Sequence, residues 1–304
     1  MTGVIRPGEV IVDEAGAIAQ LHGIGVQRVG DRFYAWGENK AAGSTFTAVS
    51  CYSSTDLATW RFEGEALTAG EGDLAADRIV ERPKVLEHPD GHFVMFLHID
   101  SADYADARVG FAVADAPAGP YRYLGSERPL GNLSRDIGVY QEDGVGYLLS
   151  EDRVNGLHLY RLAPDYLSVE AIVATTLKDD GSHGYESPTL IREGGLYYLF
   201  GSDLTGWAMN DNMVSTATDL AGPWSPWAGI APAGSATFES QMSVVVPVDG
   251  GHVYIGDRWT PDDLRTSPAV WLPIEIGDGV ATLRWRDEWT IADLRGAAAP
   301  GDDA

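Results

Sequence analysis

A five-bladed β-propeller is the fold class predicted by three observations. Helical periodicity is scarce, and short alternating or aromatic runs bounded by Gly, Asp and Pro recur along the 304 residues. Five strand–turn–strand units begin near residues 22, 81, 136, 186 and 241, in steps of 59, 55, 50 and 55. Each of these hairpins is followed by a further β-type run before the next unit starts. Five units of roughly four strands each, at a period of about 50 residues, describe propeller blades. A β-sandwich is the alternative all-β fold, but it does not account for the even spacing. No linker separates the units, so residues 10–295 read as one domain. The tail 296–304, GAAAPGDDA, reads as disordered.

Taken in order, the hairpins are HGIGVQRVGDRFYAWGE (22–38), ERPKVLEHPDGHFVMFLHID (81–100), RDIGVYQEDGVGYLLSED (135–152), ESPTLIREGGLYYLFGSD (186–203) and QMSVVVPVDGGHVYIGDR (241–258). Their turns carry Gly30 with Asp31, Asp90 with Gly91, Asp143 with Gly144, Gly194 with Gly195, and Gly250 with Gly251. Such pairs favour tight hairpins because glycine enters positive φ without a side-chain clash. The third runs are TAVSCYSSTDLATW, VGFAVADAPAGPY, GLHLYRLAPDYL, MVSTATDLAGPW and AVWLPIEIGDG. Two of them end alike, in Ala-Gly-Pro-Tyr at 118–121 and Ala-Gly-Pro-Trp at 221–224.

Bulk properties narrow the function. There are 45 acids against 21 bases, a net charge of −24, so nucleic acid and anionic membranes are poor partners. The lone Cys51 forms no internal disulfide and reads as a packed strand residue. The N-terminus MTGVIRPGEVIVDEAG lacks a basic-then-apolar leader, and no apolar run reaches membrane-spanning length. The chain as it stands is therefore expected to be cytoplasmic. The sequence leaves the oligomeric state open.

In a propeller the innermost strand of every blade lines the central axis, so residues at one offset form a ring. Here that offset holds His22, Glu81, Asp136, Glu186 and Gln241. Carboxyls converging in a partly desolvated pocket cannot all ionise normally, and one becomes a proton donor. That chemistry suits cleavage of a glycosidic bond, in which an acid protonates the leaving oxygen and a second group activates water or attacks the sugar. The ends of the second strands add Glu38, Asp100, Glu151 and Arg258, and the loops beyond them add Tyr104, Trp207 and Trp259. Aromatic faces stack on sugar rings and the charged groups bond hydroxyls, so these are expected to bind substrate. His22 without a His-x-x-x-His or Cys pattern makes no transition-metal set, and no cofactor is called for. The carboxylates leave room for a calcium or sodium ion in the central channel.

The fragments ERPKV, SRD before an apolar strand, SEDRVNGLHLYRL, YESPTL, TGW, ESQMSV and GDRW with VWLPIE together resemble glycoside hydrolase family 43. The likeness is to its exo-β-1,3-galactanase branch and the neighbouring furanosidase-like branch, and it runs from about residue 20 to 290. It implies a five-bladed propeller, an inverting mechanism, Glu186 as general acid, and Asp136 as pKa modulator and substrate contact. Most of the family has a catalytic-base Asp at the first-blade position that here reads His22. The galactanase branch lacks it too, which implies Gln241 as an unusual base and Glu81 as a further site residue. An amide accepts protons poorly, so Glu81 stands as the alternative base, with Gln241 holding the water. The expected activity is exo-release of a terminal β-1,3-linked galactosyl unit from a glycoside or oligosaccharide. Arabinofuranosyl or galactofuranosyl release on the same scaffold, or a non-catalytic sugar-binding propeller, are the alternatives.

Overall fold

The computed structural model describes residues 3–296. Twenty strands form five four-stranded antiparallel sheets. Blade 1 is β1 (His22–Val29), β2 (Arg32–Glu38), β3 (Ala48–Ser54) and β4 (Arg61–Thr68). Blade 2 is β5 (Ile79–Glu87), β6 (Phe93–Asp100), β7 (Arg108–Ala114) and β8 (Arg122–Glu127). Blade 3 is β9 (Ile137–Glu142), β10 (Val145–Asp152), β11 (Gly156–Leu162) and β12 (Val169–Thr176). Blade 4 is β13 (Glu186–Glu193), β14 (Leu196–Ser202), β15 (Met213–Ala217) and the short β16 (Ala228–Gly229). Blade 5 is β17 (Gln241–Val248), β18 (Gly251–Asp257), β19 (Ala269–Gly277) and β20 (Val280–Leu283). A terminal helix, α1, covers Ile291–Gly296.

Each sheet keeps sequence order from the centre outward, so β1, β5, β9, β13 and β17 are innermost and touch one another around the axis. Alternating side chains on the two faces of each sheet then pack between blades. Five apolar clusters fill the five seams. One joins blades 1 and 2 through Trp36, Cys51, Met95 and Leu97. Others join blades 2 and 3 (Phe96, Phe111, Leu148, Tyr160), 3 and 4 (Leu149, Leu159, Leu199, Trp227), and 4 and 5 (Tyr198, Phe200, Tyr254, Leu272). The last seam closes blade 5 on blade 1 through Ile24, Phe33, Trp60, Ile255 and Trp271, with Ile5 and Trp289 sealing its edge.

Ile5 and Trp289 pair as an antiparallel bridge, so the fold takes in residues ahead of position 10. The tail expected to be disordered lies outside the described residues, except for Gly296 at the end of α1. Among the described residues no helix is long and apolar enough to cross a membrane.

Candidate active site

The five innermost strands all start at the same end of the axis, and residues at or next to their starts converge there. Four of them begin with a β-bulge: the register shifts between His22 and Gly25, Glu81 and Lys84, Glu186 and Thr189, and Met242 and Val244. In three of these the residue after the ring position has a left-handed backbone: Gly23 (φ 59°), Arg82 (φ 53°) and Ser187 (φ 51°). A bulge puts two residues opposite one and re-aims the strand end. At Gly23 nothing larger fits, because an added Cβ would lie 2.1 Å from Glu38 Oε1. Across the first pair of strands the ring residues face a second tier. His22 pairs with Glu38, Glu81 with His98, Glu186 with Ser202 and Gln241 with Asp257. Asp136 meets Glu151, whose N–H donates to the Asp136 carbonyl at 2.9 Å.

The resulting cavity has a volume of about 210 Å³. Its walls include Glu81, Asp136, Glu186 and Gln241 together with Glu38, Tyr104, Trp207 and Trp259, eight of the twelve residues singled out from the sequence. It also includes Arg82 and Arg153, which sequence reasoning passed over.

Arg82 is the hub. Its Nη2 donates to Gln241 Oε1 at 2.7 Å and lies 3.0 Å from Asp136 Oδ2, while Nη1 is 3.5 Å from Asp257 Oδ2. Its backbone N–H donates to Glu38 Oε1 at 2.9 Å. Strict strand alternation would point Arg82 away from the Glu81 side, and only the bulge brings both inward. The signal was available: Glu81-Arg82-Pro83 and Glu186-Ser187-Pro188 repeat an acid, one residue and a proline at the same offset in two blades. Proline lacks the N–H a regular ladder requires and marks a bulge. Arg153, from the loop after β10, sets Nη2 3.8 Å from Glu186 Oε2 and Nε 3.8 Å from Glu151 Oε1.

Glu186 is 5 % exposed, and its carboxyl is pushed up to about 9 by burial and then by the negative charge of Asp136, against the pull of Arg82. It is therefore protonated at neutral pH. Gln241 Nε2 donates to Glu186 Oε1 at 2.8 Å, which leaves the acid proton to Oε2. Glu81 is the opposite case. Burial alone would raise it, but the close approach of His98 and the Lys40 charge outweigh burial and hold it below the usual carboxylate range. His98 Nδ1 lies 3.5 Å from Glu81 Oε2, and the Tyr104 hydroxyl donates to Oε1 at 3.3 Å. His98 itself is raised to about 9, since its bond to Asp100 and the nearby negative charge of Glu81 overcome the burial that would lower it.

Gln241 is oriented without ambiguity. Arg82 and Trp259 Nε1 can only donate, and both point at the same amide oxygen, at 2.7 and 2.9 Å. Trp207 packs edge-on against Trp259, with ring centroids 5.1 Å apart, and is 45 % exposed, an open aromatic face at the rim.

Four expected substrate contacts do not reach the cavity wall. His22 is buried beside Trp259, 6.0 Å between rings, and burial lowers it to about 4, so it is neutral packing. Asp100 is fully buried: it accepts from the Ser101 and Ala107 backbone N–H groups at 2.9 Å each and binds His98 at 3.0 Å, fixing the Tyr104 loop and the imidazole behind Glu81. Glu151 is 1 % exposed and raised to about 7 by burial, so it lies behind Glu186 and Arg153. Arg258 donates to the carbonyls of Phe238 (2.6 Å) and Glu239 (3.2 Å) and lies over Trp285. Its partners belong to a left-handed turn, Ala236–Glu239, whose four residues all have φ between 49° and 60°. That turn delivers Gln241.

Among the described residues, the group of three His, Cys, Asp or Glu side chains whose ligand atoms converge is His88, Asp90 and His92, at the far end of blade 2 and not in the channel.

A propeller that gathers a protonated carboxyl, an ionised one and a tryptophan wall in one small cavity has the features of a carbohydrate-active enzyme. The family model for glycosyl hydrolases family 43 matches residues 20–251, and the chain belongs to that family. Among solved structures it is similar to a Bifidobacterium bifidum s17 protein assigned as an exo-β-1,3-galactanase. That likeness has 50 % identity, covers 93 % of this chain and 97 % of the other, and has a TM-score of 0.91. It is also similar to the exo-β-1,3-galactanase of Phanerochaete chrysosporium solved with galactose, with 37 % identity over 95 % of this chain and 68 % of that one, TM-score 0.91. The exo-β-1,3-galactanase of Clostridium thermocellum shares 33 % identity over 94 % and 66 % of the two chains, TM-score 0.88. No curated protein gives a significant match. The chain is thus a glycoside hydrolase with a five-bladed propeller fold.

Proposed function

We propose that the enzyme removes a terminal β-1,3-linked galactosyl unit from an oligosaccharide by an exo-acting, inverting mechanism. The observation that carries this is Glu186, a buried carboxyl held protonated at neutral pH in the wall of a small cavity. At about 210 Å³ that cavity falls below the roughly 300–1,000 Å³ of sites for drug-sized ligands, which suits one sugar ring entering from a chain end. The galactanase relatives support galactose as that ring.

In the proposed reaction Glu186 Oε2 gives its proton to the glycosidic oxygen as the bond to the anomeric carbon breaks. Water attacks that carbon from the opposite face and yields its proton to a base. We assign the base to Glu81. It is ionised, it faces the cavity, and Lys40 and His98 hold its charge. Gln241 in its amide form has both oxygen lone pairs engaged by Arg82 and Trp259, and its Nε2 lies 2.8 Å from Glu186. An inverting pair needs about 6.5–9.5 Å between acid and base to admit water. Gln241 then orients Glu186, and Trp207 and Trp259 stack the sugar. Asp136, beside Glu186 and Arg82, keeps the acid protonated.

Glu186→Gln is expected to lower turnover of β-1,3-galactobiose by about 10²–10⁴-fold, the usual worth of a general acid. Undiminished turnover would remove Glu186 from the chemistry. Faster release from an aryl arabinofuranoside or galactofuranoside than from the β-1,3-galactoside would instead make the enzyme a furanosidase. NMR of the first product should show α-galactose, whereas β-galactose would mean retention.

A further inference from the structure

Far from the active site, the hairpin between β5 and β6 carries the sequence His88-Pro89-Asp90-Gly91-His92. β5 carries Glu81 near its start at the catalytic end, so this turn lies roughly 20 Å away, at about 3.3 Å per strand residue, on the opposite end of the propeller. The turn is closed by backbone bonds from His88 N to His92 O and from Gly91 N to His88 O, both 2.8 Å. These place the two imidazoles side by side, with ring centroids 4.4 Å apart and planes at 22°, and Asp90 at the apex.

Both Nδ1 atoms point at one carboxylate oxygen. His88 Nδ1 is 2.7 Å and His92 Nδ1 2.5 Å from Asp90 Oδ1. The tautomer of His88 follows from its other nitrogen. Nε2 lies 2.7 Å from the Pro164 carbonyl, which can only accept, so Nε2 carries hydrogen. Nδ1 of a neutral His88 is then a lone pair, and it also accepts weakly from the Asp90 N–H at 3.3 Å. His88 Nδ1 and Asp90 Oδ1 are then two acceptors 2.7 Å apart, which a proton or a metal ion between them reconciles, and His92 Nδ1 converges on the same oxygen. An imidazole whose far nitrogen is bonded to a backbone carbonyl is the arrangement that orients metal-binding histidines.

We propose that His88, Asp90 and His92 form a surface site for a divalent transition metal of the zinc, nickel and copper group. Two imidazoles and a carboxylate are the donor set such ions take, with a fourth position left for water. Metal–ligand bonds of about 2.0–2.1 Å require the donors to part to about 3.3 Å, a small rotamer adjustment for the half-exposed His92 and exposed Asp90. His88 is bonded to Pro164 and packs edge-on against Tyr166, with ring centroids 4.8 Å apart, and both partners belong to blade 3. A bound ion therefore clamps the blade 2 hairpin onto blade 3 and stabilises that seam without touching the cavity.

The test uses the tag-free, metal-stripped full-length chain titrated with cobalt(II) chloride and read by visible absorption. The expected result is a ligand-field band that saturates at one equivalent, is displaced by zinc chloride, and is lost in His92→Ala and Asp90→Asn. Zinc should raise the thermal midpoint of the wild type by about 2 °C or more and leave that of His92→Ala unmoved. Both variants should match the wild type in midpoint without metal and in turnover. A wild type that gives no band at saturating cobalt has a protonated histidine–aspartate ion pair there, and the proposal falls. A band that survives in His92→Ala, or in the more conservative His92→Gln should the alanine variant misfold, overturns it equally.

Discussion

Glu186 and Glu81 are two glutamates in one cavity with opposite proton affinities, and the difference lies in their neighbours. Glu186 has Asp136 nearby and a donor only from an amide, so burial dominates. Glu81 has Lys40 and a raised His98, so it ionises. This separates donor from acceptor without any change of residue type. It also has a consequence for folding. The Glu186 carboxyl moves from 4.5 to about 9 on folding, so the folded chain holds a proton through that window while the unfolded chain has lost it. The stability this confers is full below about pH 4.5 and is lost as pH rises toward 9. Glu186→Gln should therefore flatten the fall in urea midpoint between about pH 5 and 8, and a variant with the wild-type slope would show that the carboxyl is not raised. For the base, Glu81→Gln should cost about 10²-fold or more in turnover. If it keeps near-normal turnover while Gln241→Ala does not, the base is Gln241.

At the scale of elements, the site is made by irregularities at the starts of otherwise regular strands. The bulge at Arg82 turns two consecutive residues, Glu81 and Arg82, to the cavity, where a regular strand would offer one. The left-handed turn at Ala236–Glu239 is costlier, on the order of 1 kcal/mol or more for each non-glycine residue. Its restraints are dense. Asn212 donates to Thr237 Oγ1 and the Ser240 carbonyl and accepts from the Met242 N–H, and Arg258 holds the two carbonyls beyond. Arg258 thus acts on the reaction through Gln241 and not through the sugar. Arg258→Met should lower kcat about 10-fold through misplacement of Gln241, with KM little changed. A rise in KM alone would return Arg258 to the substrate-binding role that its place in the sequence had indicated.

On the scale of the whole molecule, no blade shares strands with another, so the ring is held by its apolar seams. The closing seam is the vulnerable one, because it joins the first blade to the last. Trp289 is 2 % exposed there, and its Nε1 donates to the Trp271 carbonyl at 2.8 Å. Trp289→Ala should destabilise the fold by about 3–5 kcal/mol, read as a lower denaturant midpoint, with turnover per folded molecule retained well below the transition. A loss below about 1 kcal/mol would mean that the ring does not depend on this closure.

Five hairpins at an even interval were readable in the chain because strand alternation and glycine turns are local, and rotation then carries Glu81, Asp136, Glu186 and Gln241 to one axis. The sequence by itself thus determined the fold class and the ring. Which flanking side chains reach the cavity was decided in the tertiary structure, with only the proline after Arg82 marking its bulge in the sequence. Arg82 enters because a bulge breaks the two-residue period, Asp100 is withdrawn because the folded loop turns the Ser101 and Ala107 N–H groups and His98 onto its carboxylate, and Arg258 because carbonyls some twenty residues away claim its guanidinium. Proton affinity was decided there as well, since it depends on burial and on charges contributed by other blades, which no run of neighbouring residues encodes.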